Sequence, residues 1–146
     1  MLRNTLKLVL AFCTTIAACQ APRSSDPRFE TALQKVWAFY GATTEAPEVE
    51  AVTGTSLDCG QGNAFLVPGP NNTQVCAAGA HYPGTRLIRI ALPKPTKASA
   101  TALAHELAHQ LQEDQGLPDD YQHVSQAFQP GGIVGAANAM LQADGE

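Results

Sequence analysis

Charge is scarce in this sequence, and positive charge is the scarcer sign. Only 15% of the 146 residues are charged, with 9 Lys and Arg against 13 Asp and Glu, and the formal charge is −4. No basic patch exists that could displace counterions from phosphates, which argues against a nucleic-acid partner. Histidine is rarer still, at four residues, and no internal repeat is present. Apart from a short polar stretch near residue 22, no segment is biased enough to read as disordered. A hydrophobic content of 45% over this length fits a single globular domain, and 10 prolines with 12 glycines imply many turns.

The chain also lacks an apolar run long enough to span a bilayer. The nearest to one is Leu8 to Ala18, preceded by Arg3 and Lys7 and ending in small residues, which is the pattern of a secretory signal peptide. Loss of Arg3 and Lys7 with that leader takes the formal charge from −4 to −6. The residues "IAAC", Ile16 to Cys19, resemble a bacterial lipobox. That resemblance implies a leader over 1–18, lipid on Cys19, a tether over 19–25 and a domain over 26–146. The expected location is a membrane-anchored exported lipoprotein. Gln20, where Asp would retain a Gram-negative lipoprotein in the inner membrane, points to the outer membrane, facing the periplasm or the cell surface. The plainer alternative is cleavage after Ala18 and release of a soluble exported protein.

With Cys13 in the leader and Cys19 lipidated, Cys59 and Cys76 remain. In an oxidising compartment they are expected to pair. Their spacing matches no zinc knuckle, so thiolate ligation is the weaker reading.

"DPRFETALQKVWAFYG" reads as a helix with Asp26 as N-cap, Pro27 at the first position and Gly41 as terminator. Phe29, Leu33, Val36, Trp37 and Tyr40 share a core face. From Pro47 to Leu92 the pattern changes to short strands broken by glycine and proline: "EVEAVTG", "NAFLV", "TQVCAAG" and "TRLIRIAL", with a hairpin turn at "PGPNN". His81, in "AGAHYPG", reads as a surface histidine in a turn. "KASATALAHELAHQLQEDQ" is the longest helix, with Leu103, Leu107 and Leu111 facing the core and Gly116 and Pro118 ending it. A last helix covers roughly 132–143. The order is α+β: an N-terminal helix, a short and mostly antiparallel sheet, a long helix, a loop and a C-terminal helix.

The long helix carries the chemistry. His105 and His109 are four apart and project from one face, so both can offer a ring nitrogen to one zinc ion. Glu106, rotated by about a hundred degrees from His105, sits beside the metal without ligating it. There it can take a proton from a zinc-bound water, whose pKa the metal brings to about 7, and pass it to a leaving amine.

These residues, "HELAH", resemble the zincin metallopeptidases, whose signature is His-Glu-x-x-His on a helix. The resemblance covers about twenty residues closely and the rest only in architecture. It implies a zinc peptidase acting on a peptide or protein substrate, with a small antiparallel or mixed sheet beside the helix and an edge strand that holds substrate extended. "TRLIRIAL" is the expected edge strand. Gln112 and Gln115 stand where the metzincin extension needs Gly and His, which excludes that branch.

A third ligand is required. Glu113 is two turns beyond His105, about 12 Å along the axis, and too far. Asp119, Asp120, His123 and the terminal Glu146 are the candidates. After Gly116 the chain must return about 10 Å at no more than about 3.3–3.6 Å per residue. Asp119 and Asp120 have almost no slack for this, whereas His123 has room for a turn at Pro118. A histidine from the following loop also resembles SprT-like zincins and small zinc-peptidase lipoproteins, although "DDYQH" fits that pattern loosely. Asp119 or Asp120 can instead orient a ligand histidine. Tyr121 is either an oxyanion donor or an ordinary loop tyrosine. The rival functions are a catalytically inactive zinc-binding envelope lipoprotein, serving as a binding or assembly module, and a zinc-free lipoprotein with incidental histidines. With the leader gone, roughly 128 residues remain, which leaves little room for a second lobe.

Overall fold

The computed structural model describes residues 25–53, 59, 64–92 and 97–145; the proposed leader, Cys19, most of the tether and Glu146 lie outside the described residues. The elements are α1 (Glu30–Phe39), β1 (Glu48–Val52), β2 (Phe65–Pro68), β3 (Gln74–Ala77), β4 (Gly79–Tyr82), β5 (Leu87–Ala91), α2 (Lys97–Asp114) and α3 (Ile133–Ala143). The small α+β class holds.

Helix α1 starts a turn later than the N-cap pattern predicts. Asp26 uses its carboxylate on the Arg28 amide and guanidinium and its carbonyl on the Phe29 amide. It thereby closes the turn over Pro27 to Phe29, and the helix proper begins after Phe29 with no side-chain cap. The C-terminus follows expectation. Gly41 has φ +66°, its amide bonds Ala38 O, and the Ala42 amide reaches back to Trp37 O, so the last carbonyls are satisfied.

The main sheet has the order β1-β5-β4, with β1 parallel and β4 antiparallel to β5. It is mixed: β4–β5, like the β2–β3 hairpin, is antiparallel as expected and β1–β5 is parallel, and "TRLIRIAL" supplies its central strand rather than an edge. Two arginines make that segment look unsuited to a centre. Arg86, however, precedes the strand in a left-handed conformation and bonds Asp114 of α2. Arg89 pairs with its direct register partner Glu50 and lies over the Tyr82 ring. The charges are neutralised sideways while Ile88 and Ile90 are fully buried on the opposite face.

The run "TQVCAAG" divides at Ala78 between two sheets. Its first part, β3, pairs with β2 in the expected hairpin, and its end opens β4. Cys59 and Cys76 lie at disulfide distance, Cα to Cα 5.8 Å, tying the segment before the hairpin to β3.

The three α-helices among the described residues contribute to one core against the inner sheet face: Leu33, Val36 and Trp37 of α1, Leu103 and Leu107 of α2, Val134, Ala137 and Leu141 of α3, with Val49, Ile88 and Ile90. The Tyr40 hydroxyl donates to Ala104 O at 2.6 Å, fixing α2 against α1. Among the described residues no helix is long and apolar enough to cross a membrane.

Candidate metal centre

Leu103, Ala104, Leu107 and Ala108 bury one side of α2. That anchoring turns His105, Glu106 and His109 toward β4 and the loop after the helix. Gly116, with φ +68°, ends α2, and the Leu117 amide bonds back to Gln112 O. The loop then folds around Asp120. Its two carboxylate oxygens accept the amides of Val124 (2.9 Å) and Ser125 (2.8 Å), and its carbonyl accepts that of His123 (2.9 Å). These bonds hold His123 at φ +53°, a conformation uncommon for a residue with a Cβ. Gln129 donates to His123 O at 2.6 Å, and Gln112 to Ser125 Oγ at 3.1 Å. Gly132 closes the loop where any Cβ would meet Gln126 O at 2.1 Å, so only glycine lets α3 start there.

The result is a cluster. His123 Nε2 lies 3.0 Å from His105 Nε2 and 3.2 Å from His109 Nε2. One N–H cannot serve two such neighbours well, so three convergent ring nitrogens are better matched to a cation than to one another. Two nitrogens bound to one tetrahedral ion at about 2.0–2.1 Å would be about 3.3 Å apart, close to the separations found. Burial, reinforced by the neighbouring histidines, holds His105 at about 4. Burial lowers His109 to about 4 as well, against the pull of Asp119. Both are therefore neutral and able to ligate at ordinary pH. The three histidines can hold a metal ion.

His109 is only 7% exposed, and its Nδ1 is buried without a hydrogen-bond partner. Asp119 Oδ1 lies 3.7 Å from that atom, on the side of the ring away from the Nε2 cluster. Asp119 thus faces the Nδ1 edge of His109 and lies outside the group of three histidines that converge. Asp120 is engaged by backbone amides. Tyr121 is 72% exposed, and hydrogen bonding to Asp119 raises its hydroxyl pKa.

Glu106 is pushed up to about 7, chiefly by burial, with Asp119 adding to the rise and the His81 backbone N–H opposing it. Gly79 makes room for it: a Cβ there would lie 2.9 Å from Glu106 Cγ and 3.0 Å from Oε1.

Three participants escape the sequence reading. Phe128 packs its ring 4.9, 4.6 and 4.8 Å from those of His105, His109 and His123, covering the cluster. His81, expected on the surface, has a side chain 5% exposed on edge strand β4 and lies 2.9 Å from Glu113 Oε2. Glu113, outside the ligand set as its distance along the helix requires, has this second use. A signal for it exists: Gly79 and His81 alternate as a strand would, and Glu113 is seven residues from Glu106 on the same helix. Glu146 lies outside the described residues. No family model matches the chain, and no curated protein or solved structure is significantly similar to it.

Proposed function

We propose that the protein is a zinc-dependent peptidase of zincin-like plan, exported and anchored to a bacterial membrane by lipid on Cys19. The observation that carries this reading is the convergence of three imidazole rings, two from α2 and one from the loop after it, with the buried Glu106 carboxylate next to the first of them in the helix sequence. Imidazole donors suit zinc as they do copper, iron and nickel, and three protein ligands would leave the fourth position of a tetrahedral zinc open, as in catalytic rather than structural zinc sites. When bound, zinc polarises a carbonyl oxygen and brings the pKa of a water to about 7.

The chain supplies the rest. Glu106, near 7, can accept a proton at neutral pH and return it to a leaving amine. Asp119, 3.7 Å from His109 Nδ1, is the carboxylate placed to orient that ring, and Phe128 packs against it. The free edge of β4, rather than β5, is the strand on which an extended peptide can pair. Tyr121, exposed on the same loop and with its hydroxyl pKa raised, is the candidate donor to a developing oxyanion.

A second reading, a zinc-binding but inactive envelope lipoprotein, draws on Phe128, whose contact with all three rings makes the centre closely covered. The two separate on Glu106→Gln. The peptidase reading requires hydrolysis of an unstructured protein substrate by the zinc-loaded wild type, lost in the variant with zinc retained. Equal hydrolysis by both, or none by either, contradicts it.

A further inference from the structure

The loop after α2 returns two rings to that helix, His123 and Phe128, from one braced segment. The Phe128 amide donates to Ser125 O at 3.2 Å, and the Gly132 amide to Gln129 O at 2.8 Å. Ala127 O accepts the Val134 amide at 3.2 Å, which ties the end of the loop to α3. The Gln129 side chain closes on His123 O at 2.6 Å. Phe128 also packs against the hydrophobic core, so its ring is held from behind as well as through the backbone.

The ring centres are 5.1 Å apart for His105 and His109, 4.5 Å for His105 and His123, and 5.2 Å for His109 and His123. That of Phe128 lies 4.9, 4.6 and 4.8 Å from the same three. Separations this even make a nearly regular tetrahedron, with Phe128 on the axis about which the imidazoles converge. An ion held by all three Nε2 atoms lies close to that axis. From the plane of the imidazole centres to the Phe128 centre is necessarily less than the 4.6 Å of the shortest of these contacts. A ligand on that side would need about 2 Å from the ion and about 3.5 Å more to clear an aromatic carbon. It does not fit. An ion drawn away from Phe128 gains no room there, because the imidazoles themselves flank the space behind it.

We propose that Phe128 is a positioning residue for the metal centre: its ring closes one side of the histidine tripod, so that a bound ion keeps a single exchangeable position, on the side away from Phe128. Phenylalanine suits this use because it is bulky and offers the ion no lone pair. The cover it gives is one-sided, which is what separates a site with an open position from a sealed one. This role rests on the three histidines holding a metal, and not on catalysis.

Cobalt(II) in place of zinc tests it, since four-coordinate cobalt absorbs visible light several-fold more strongly than five- or six-coordinate cobalt. The cobalt-loaded wild type should give the intense four-coordinate spectrum, and azide should shift that spectrum without loss of intensity by replacing the one exchangeable ligand. Phe128→Ala should bind cobalt with absorption reduced several-fold, as water enters where the ring was. Phe128→Leu, which keeps much of the bulk, should retain most of the wild-type intensity. Should Phe128→Ala fail to fold, Phe128→Val, too short to reach the axis, must give the same loss. A Phe128→Ala protein that is merely less stable, with the wild-type spectrum, overturns the proposal. So does a wild type that is five- or six-coordinate, or one that azide leaves unchanged. The expected spectra in a protein that hydrolyses no peptide would remove the peptidase reading and leave the role of Phe128 standing; a wild type that binds no cobalt would remove the metal centre and this role with it.

Discussion

The Nε2 atoms of His105 and His123 lie 3.0 Å apart across eighteen residues of chain. Helix α2 fixes the first, and a loop shaped by Asp120 fixes the second. The site therefore depends on two sets of groups, those that would touch the ion and those that hold them in place through bonds that involve no metal.

Alanine at His105, His109 or His123 should each weaken zinc binding strongly and to a similar extent, because three-point chelation fails when any member is lost. Competition against a chromophoric chelator measures this. Near wild-type affinity in His123→Ala would remove the loop histidine from the site.

Asp119→Ala should weaken zinc by about 10–100-fold, the usual effect of losing the group that orients a ligand histidine. Asp120→Ala should also weaken it, through the loop, and should lower stability as the amides of Val124 and Ser125 lose their acceptor. If Asp119→Ala matched His109→Ala in its effect on zinc, the carboxylate would have to be counted as a ligand.

Acid should destabilise the metal-free domain across a defined window. His105 and His109 fall from 6.5 to about 4 on folding, so between those values the unfolded chain binds protons that the folded chain refuses. Their contribution is present above 6.5 and is lost as pH falls toward 4. Glu106, raised from 4.5 to about 7, acts in the opposite sense and loses its contribution as pH rises through 7. Glu106→Gln should accordingly steepen the acid loss. Denaturant titrations of chelator-treated protein between pH 7 and 4 read both effects; a wild-type midpoint that rises on acidification would contradict the assignment.

Reduction of the Cys59–Cys76 pair should cost about 3 kcal/mol in the chain-entropy model. The bond lies on the hairpin and not among the histidines, so the reduced protein that remains folded should bind zinc as before. Two thiols alkylated in the unreduced native protein would show that the pair is not formed.

What could be read from the sequence was local. The four-residue spacing of His105 and His109 needs only a helix, and the α1 stripe from Phe29 to Tyr40 needs only its period. His123 followed from chain reach. The central place of β5 was hidden because Glu50, the partner that neutralises Arg89, comes from a strand 39 residues away. His81 looked like a turn residue for the same reason: its partner Glu113 is 32 residues distant. Asp120 resembled a ligand because its use, bonding amides around a left-handed His123, exists only once the loop has folded. Phe128 carried no periodic signal at all.

Elemental analysis of the purified domain tests the central claim most directly. The wild type and Glu106→Gln should each carry about one zinc per chain, and His123→Ala should carry almost none after the same dialysis, since the histidines and not the carboxylate hold the ion. A wild type without zinc, or a His123→Ala protein that retains it in full, would contradict the account.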